Sequence, residues 1–180
     1  MRYTTSRFAL APTPLQAAML ARHAGASRFA HNQCLQLVLD ALEAKRVGTQ
    51  VSVPWSRFDL INRFNAWKNS QAAGRIFAAP SDGSVTEQVI GLAWRPAVSA
   101  QVFEEAAVDL SRALAAYRDG KTSTRKSRQV GFPKRKRKGR CRDSFRLRNK
   151  RSKDGSLAIR VGKGHPRLCG PPEDRHDPRA

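Results

Sequence analysis

Positive charge is concentrated in one part of this chain, and that concentration constrains the fold more than any other feature. The 180 residues carry a formal net charge of +20. Between Arg118 and Lys163, 19 Lys and Arg face three Asp, so this stretch alone holds +16 (19 − 3). A stretch of this composition cannot bury a core of its own. It must therefore be displayed on a hydrophobic scaffold built from residues 1–117, which carry most of the large apolar side chains.

The basic stretch joins a nearly pure cationic run to an alternating one. From Phe132 to Arg140 most residues are Lys or Arg, and apolar and charged residues alternate from Asp143 to Arg148. Alternation of this kind is typical of a half-buried strand. A basic loop joined to a basic strand forms a folded surface for a polyanion, and nucleic acid is the partner that it favours.

The first 117 residues show helical periodicity. Thr13-Pro14-Leu15-Gln16 has the pattern of a capping box, and Gly25 is expected to end the helix that starts there. Further helices are predicted at about 26–46, after the cap residue Ser56, and at about 99–117, each with an apolar stripe. Four such helices predict a small bundle.

After the bundle the hydrophobic period changes from 3.6 to 2. Two alternating runs, Phe145–Arg148 and Leu157–Val161, flank the turn residues Asp154-Gly155 and predict a β-hairpin. Because a lone hairpin is marginally stable, we expect it to pair with a strand at residues 2–10. The predicted fold class is α+β: a small antiparallel β-barrel, complete or incomplete, with an inserted bundle of about four helices and a disordered C-terminal tail.

This interpretation divides the chain into four parts. Residues 1–12 supply the first strand of the barrel, residues 13–120 the inserted helical domain, and residues 121–161 the basic loop and the hairpin that complete the barrel. Residues 162–180, which contain four prolines, form the expected disordered tail.

Composition excludes several classes of function. Cys34, Cys141 and Cys169 include no C-x-x-C pair and the four His show no ligand spacing, so no zinc site, disulfide framework or cofactor is predicted. No apolar run reaches the ~18 residues of a membrane span, and the N-terminus lacks a signal-peptide pattern. We expect a cytoplasmic protein with neither a membrane partner nor a small-molecule substrate.

Candidate binding residues lie in the basic stretch and on the helices. The cations can contact phosphates, or they can form a solvated, nonspecific run. Asn32 and Gln101 can read adenine edges or form hydrogen bonds between helices, and Arg28 can contact phosphate or pair with an acid. No catalytic or metal-binding residue is predicted. The predicted nucleic-acid-binding residues are Lys134, Arg135, Lys136, Arg137, Lys138, Arg140, Arg142, Arg146, Arg148, Arg28, Asn32 and Gln101.

Four segments follow one another in a recognisable order. Phe8–Gln16 is a strand followed by a Pro-Thr-x-x-Gln helix start, and Ala26–Leu35 contains an Arg-aromatic-x-x-Asn-x-x-Leu helix. Val98–Tyr117 is the helix before the basic region, and Gly131–Leu147 joins a Pro-Lys-rich loop to a Ser-Phe-Arg strand. Together they resemble the N-terminal part of the TnpB (OrfB) proteins of bacterial insertion sequences.

The resemblance implies an RNA-guided, transposon-associated role. Members of this family are RNA-guided DNA nucleases related to compact type V CRISPR effectors. Their N-terminal half, a wedge barrel with an inserted helical recognition domain, grips a guide RNA and reads a short duplex motif beside the target. Cleavage belongs to a RuvC-like domain further along, with three acidic metal ligands and a zinc ribbon. For this chain the implied partners are a guide-like RNA and duplex DNA.

The chain departs from the family pattern after residue 161. It contains neither the acidic strand motif nor a C-x-x-C pair, and two-metal cleavage needs convergent carboxylates. We therefore expect a truncated, transposase-associated protein that is not an enzyme, with a tail read in an altered frame. The alternatives are a stand-alone basic RNA-binding protein and a regulator that competes with a full-length nuclease for its guide.

Overall fold

Three α-helices form the framework of the structure, a computed structural model that describes residues 9–49, 51–78, 86–122 and 130–149. They are α1 (Pro14–Arg46), α2 (Arg57–Lys68) and α3 (Ala100–Lys121). A short antiparallel ribbon lies between α2 and α3, formed by β1 (Arg75–Ala78) and β2 (Thr86–Ile90). Single 3₁₀ turns, Gln71–Ala73 and Arg95–Ala97, flank this ribbon.

Helix α1 begins where the sequence predicts and continues past its predicted end. The Thr13 hydroxyl accepts a hydrogen bond from the Gln16 N–H, and the Gln16 side chain accepts one from the Thr13 N–H, which confirms the capping box. The expected helix end at Gly25 is wrong, because the helix runs 33 residues from Pro14 to Arg46. Gly25 lies between the buried Ala24 and Ala26, and their packing offsets the roughly 1 kcal/mol that a mid-helix glycine costs.

The core lies between α1 and α3, with α2 packed across them. Small residues on both helices allow α1 and α3 to approach closely, because Ala30 and Cys34 of α1 and Ala107 of α3 are fully buried. Aromatic rings join α2 to α3 in the same core, where Phe64 contacts Phe103 with ring centroids 5.5 Å apart. The other large buried side chains are Leu35, Val38, Leu60, Val102, Leu110 and Leu114.

The predicted fold class is wrong, because the described part of the chain is helical and contains no barrel. Its single sheet is the two-stranded ribbon, which lies inside the predicted helical insertion. Residues 145–148, predicted as a barrel strand, have no regular secondary structure. Their alternating burial is nevertheless present, since Phe145 and Leu147 pack partly buried against the core while Arg146 and Arg148 are exposed. A pair of helices, not a sheet, provides the apolar surface that the alternation requires.

Several predictions concern residues outside the described ranges. These are most of the first strand at residues 2–10, the second hairpin strand at 157–161, and the tail at 162–180. Residues 9 and 10 are described and have no regular secondary structure. The four-part domain division therefore stays a prediction. None of the helices in the described ranges combines the length and the hydrophobicity that a membrane span requires.

The continuous helix predicts that Gly25→Ala stabilises the protein. A Cβ at this position would have its nearest neighbour, Arg28 Nη2, at 3.9 Å, which is ordinary van der Waals contact. Alanine should raise the free energy of unfolding by about 0.5–1 kcal/mol, measured by urea denaturation, because it loses less backbone freedom in a helix. A decrease would indicate that the chain turns at Gly25.

Gly91→Ala is the matched control for this substitution. Gly91 has φ +93°, and a Cβ there would clash with the Lys68 carbonyl oxygen. The same chemical change should therefore destabilise the protein at Gly91 while it stabilises the protein at Gly25.

Candidate nucleic-acid interface

Residues 130–149, which we call the basic segment, are fixed to the helices by apolar contacts. The Phe132 ring meets the Tyr117 ring edge to face, with centroids 5.2 Å apart. Near the other end of the segment, the Phe145 ring lies 5.4 Å from the His23 ring, and Leu147 packs against the core. These contacts attach both ends of the segment to the helices. Such attachment is expected, because a segment so rich in charge cannot bury a core of its own.

Side chains on one face of α1 contact the basic segment from Arg135 to Asp143. The Asn32 amide donates to the Lys136 carbonyl oxygen at 2.9 Å and accepts from the Lys136 N–H at 2.8 Å. One neutral side chain thus satisfies both backbone groups of a residue in an irregular segment. Gln36, one turn further along, accepts a hydrogen bond from Arg135. Arg28, one turn earlier, pairs with Asp143. The spacing of four residues places all three on the same face.

Acidic and amide side chains of α3 hold the end of the basic segment. The Gln101 Oε1 accepts from the Arg148 N–H at 3.0 Å, and the Arg148 guanidinium pairs with Glu104 at 2.9 Å and also contacts Glu105. Arg146 pairs with Asp109 at 2.9 Å and with Glu105 at 3.6 Å. The charges of Arg146 and Arg148 are thereby compensated inside the protein.

A basic turn lies between Lys136 and Asp143, the residues of the segment that contact Asn32 and Arg28 of α1. The Arg137 carbonyl oxygen accepts from the N–H groups of Arg140 and Cys141, both at 3.2 Å. Gly139 has φ +76°, a left-handed conformation that side chains other than glycine rarely adopt. The turn exposes Lys138 and Arg140 to solvent. Seven cations of the segment have no described acidic side chain within ion-pair distance: Lys134, Arg135, Lys136, Arg137, Lys138, Arg140 and Arg142.

The predicted binding residues lie either in the basic segment or on the helices that contact it. Nine of the 12 lie in the basic segment, and the structure brings the other three against it: Arg28, Asn32 and Gln101. Of the two readings of Arg28, the structure contains the ion pair. Asn32 and Gln101 bond to the backbone of the segment, an arrangement that the sequence did not suggest. The assignment of all 12 residues to nucleic-acid binding stays a prediction.

Sequence reasoning missed the acidic partners on α3. Glu104-Glu105 reads as a solvated pair, but Glu105 is only 3% exposed. The sequence did contain one indication of these partners. Glu105 and Asp109 are four residues apart and therefore lie on one helix face, where they can form an acidic patch that binds arginines. The alternating Arg146 and Arg148 match that patch, but only a contact between the helix and the segment reveals the pairing.

His31 lies beneath the basic segment as a buried neutral group. Burial and, to a smaller extent, the nearby Lys136 charge lower the pKa of His31 from 6.5 to about 4, while a hydrogen bond with the Lys134 backbone and the Asp109 charge oppose the shift. Its Nδ1 has no hydrogen-bond partner among the described residues. The cationic run therefore rests on an uncharged side chain at neutral pH.

The comparison with protein families finds a match at the start of the chain. Residues 1–46 match the family model of the helix-turn-helix domain of OrfB proteins of the IS605 type. The resemblance to OrfB is confirmed for this N-terminal portion. No curated protein and no solved structure matches the chain.

The OrfB helix-turn-helix match indicates a DNA-binding, transposase-associated function. The described part of the matched region forms one helix, α1, without a turn at Gly25. No catalytic domain is matched. Among the described residues, no group of three or more His, Cys, Asp or Glu side chains is placed to hold a metal ion.

Asn32→Ala should release the first half of the basic segment. The substitution leaves the Lys136 N–H and C=O without their partner, and we expect a loss of about 1–3 kcal/mol in the free energy of unfolding. Amide hydrogen exchange at residues 134–138 should accelerate more than exchange in α3. Gln33→Ala is the control, because the Gln33 side chain forms no hydrogen bond with described residues; equal effects of the two substitutions would contradict the role of Asn32.

The buried His31 predicts a loss of stability in mild acid. Its pKa is about 4 in the folded protein and 6.5 in the unfolded chain, so the unfolded state binds more protons between these values and stability falls as pH decreases. From pH 7.5 to 5 this group should remove about 2 kcal/mol. Urea denaturation at both pH values should show that loss, and His31→Gln should reduce it. An equal loss in wild type and variant would rule out His31 as its source.

Proposed function

We propose that this chain binds nucleic acid through the cations between Lys134 and Arg142, as the RNA- and DNA-contacting, non-catalytic part of an OrfB-type RNA-guided system. One observation carries the proposal. The protein neutralises the arginines at the end of the basic segment, Arg146 and Arg148, but leaves the cations of its central run without described acidic partners.

The uncompensated run is suited to a phosphate backbone. Each phosphate that a Lys or Arg neutralises releases condensed counterions, which supplies affinity without reading sequence. The run is held by the Asn32 hydrogen bonds and by the anchoring of Phe132 against Tyr117, so its cations need little further ordering on binding. A preorganised basic turn is a better ligand for phosphates than a flexible tail of the same charge.

The two helix amides take a positioning role in this proposal. The Asn32 amide both donates to and accepts from the Lys136 backbone, and the Gln101 oxygen accepts from the Arg148 N–H. Groups occupied in this way are not free to read adenine edges. We therefore propose that they set the path of the basic segment, and that contact with RNA or duplex DNA along this segment is largely independent of base sequence.

The resemblance to the OrfB family supports RNA as well as DNA as a partner. The matched portion ends at residue 46, before the basic segment begins, so RNA binding by the segment is our inference from its chemistry. A-form RNA presents phosphates and 2′-hydroxyls along a wide minor groove, and a rigid basic turn can follow its backbone by shape and charge.

Removing two cations from the turn tests the proposal. Lys138→Gln/Arg140→Gln should weaken binding to a structured RNA and to duplex DNA by about tenfold at low salt, measured by fluorescence anisotropy. The slope of log affinity against log salt should decrease by roughly 1.4–1.8, as expected for two lost phosphate contacts. The fold should be unchanged by circular dichroism, because both side chains are exposed.

The control removes the same charge elsewhere. Lys45 and Arg46 are exposed in the last turn of α1, and Lys45→Gln/Arg46→Gln changes the net charge equally. This variant should bind nearly as well as wild type. If both pairs of substitutions weaken binding equally, total charge and not the basic turn determines affinity, and the proposed site is wrong.

A further inference from the structure

We propose that the nucleic-acid surface continues beyond the basic segment into a cleft between the start of α2 and the C-terminal half of α3, where Arg112 and Arg118 bind further backbone phosphates. This inference rests on the proposed function and extends it to residues outside the basic segment. The cleft has a volume of about 410 Å³. Its lining residues are Trp55, Ser56, Arg57, Val108, Ser111, Arg112, Leu114, Ala115 and Arg118.

The lining of this cleft combines cations with a partly apolar wall. Three arginines line it, Arg57 from α2 and Arg112 and Arg118 from α3, and no acidic side chain is among the lining residues. Trp55, Val108 and Ala115 supply apolar surface between them. Guanidinium groups around an apolar floor suit a nucleotide, because phosphate oxygens accept from the guanidinium while the sugar or base covers the apolar part.

The cleft is connected to the basic segment through one carboxylate. Asp109 Oδ1 contacts Arg146 at 2.9 Å and Arg112 at 3.6 Å. Since both guanidinium groups contact the same oxygen, the last arginines of the segment and the first arginine of the cleft are immediate neighbours. A backbone lying along the basic segment can therefore reach the cleft over the neutralised pair of Arg146 and Asp109.

The cleft arginines are weakly engaged within the protein. Arg112 is 64% exposed with its acid at 3.6 Å, and Arg118 is 67% exposed with Asp119 at 3.8 Å. Exposed pairs at such distances contribute little to stability, so their guanidinium groups can exchange a carboxylate for a phosphate. Arg146 and Arg148 differ, because they are tied to the buried Glu105.

The N-terminus of α2 is not the source of the binding. The Ser56 hydroxyl accepts from the Asp59 N–H and donates to the Asp59 carboxylate, so the helix start is already capped by a side chain and an acid. The guanidinium groups of α3 carry the site, and their removal is the decisive test.

The experiment compares two pairs of substitutions on two lengths of ligand. Binding of a single-stranded RNA of about five nucleotides and one of about 20 is measured by fluorescence anisotropy over a range of salt, with lengths chosen to cover part of the surface or all of it. Arg112→Gln/Arg118→Gln should weaken the long RNA about tenfold, lower its salt slope by roughly 1.4 and leave the short RNA unchanged. Lys138→Gln/Arg140→Gln should weaken both, and Lys45→Gln/Arg46→Gln neither.

The outcomes separate the two proposals. If Arg112→Gln/Arg118→Gln leaves binding of the long RNA unchanged, or weakens both lengths equally, the extension is wrong while the basic turn can still be the site. If Lys138→Gln/Arg140→Gln has no effect on either length, the proposed function is wrong. Absence of binding by the wild-type protein would overturn both. Circular dichroism of each variant shows that the fold is retained.

Discussion

The structure depends on how a strongly cationic segment is attached to its scaffold. Nine Lys and Arg lie between residues 134 and 148 with one acid, Asp143, among them, so the segment repels itself. Its backbone forms no sheet, and it gains order from neighbouring helices. Neutral amides supply that order near the cationic run, where Asn32 satisfies both backbone groups of Lys136 without consuming charge. An acidic clamp at that place would fix the segment equally well and would neutralise the cations that it presents.

The acidic side chains of α3 neutralise only the arginines at the end of the basic segment. Glu105 is almost fully buried, and an unpaired carboxylate there would carry a desolvation penalty of several kcal/mol. Arg146 and Arg148 both contact it, and the partly exposed Glu104 and Asp109 complete the network. Removing one partner of a buried ion-pair network leaves an uncompensated charge and is strongly destabilising, whereas replacing the whole network by apolar residues is often nearly neutral. The network therefore fixes the position of the basic segment more than it adds to the stability of the fold.

Local patterns in the sequence predict the helices well and the partners of the basic segment poorly. The caps at Thr13 and Ser56 locate the starts of α1 and α2, because capping depends on residues within one turn. Gly25 misleads, because burial of its alanine neighbours outweighs a weak local preference. The alternation around Phe145 predicts which side chains are buried but not that α1 and α3 bury them, since periodicity carries no information about the opposing surface. The sequence predicts that Asn32 and Gln101 belong to the interface. It does not predict their partners, because each side chain bonds to backbone more than 40 residues away along the chain.

The continuity of α1 links these features mechanically. Arg28, Asn32 and Gln36 hold the basic segment from successive turns of one helix, and the opposite side of the same turns supplies Ala30, Cys34 and Val38 to the core. A break at Gly25 would separate the capped start of α1 from this clamp. Because α1 is one continuous helix, its packing in the core also fixes where the basic segment lies. The cations that face solvent are thus held by a helix whose other face lies in the core, and a ligand that binds them meets a surface whose geometry is set before binding.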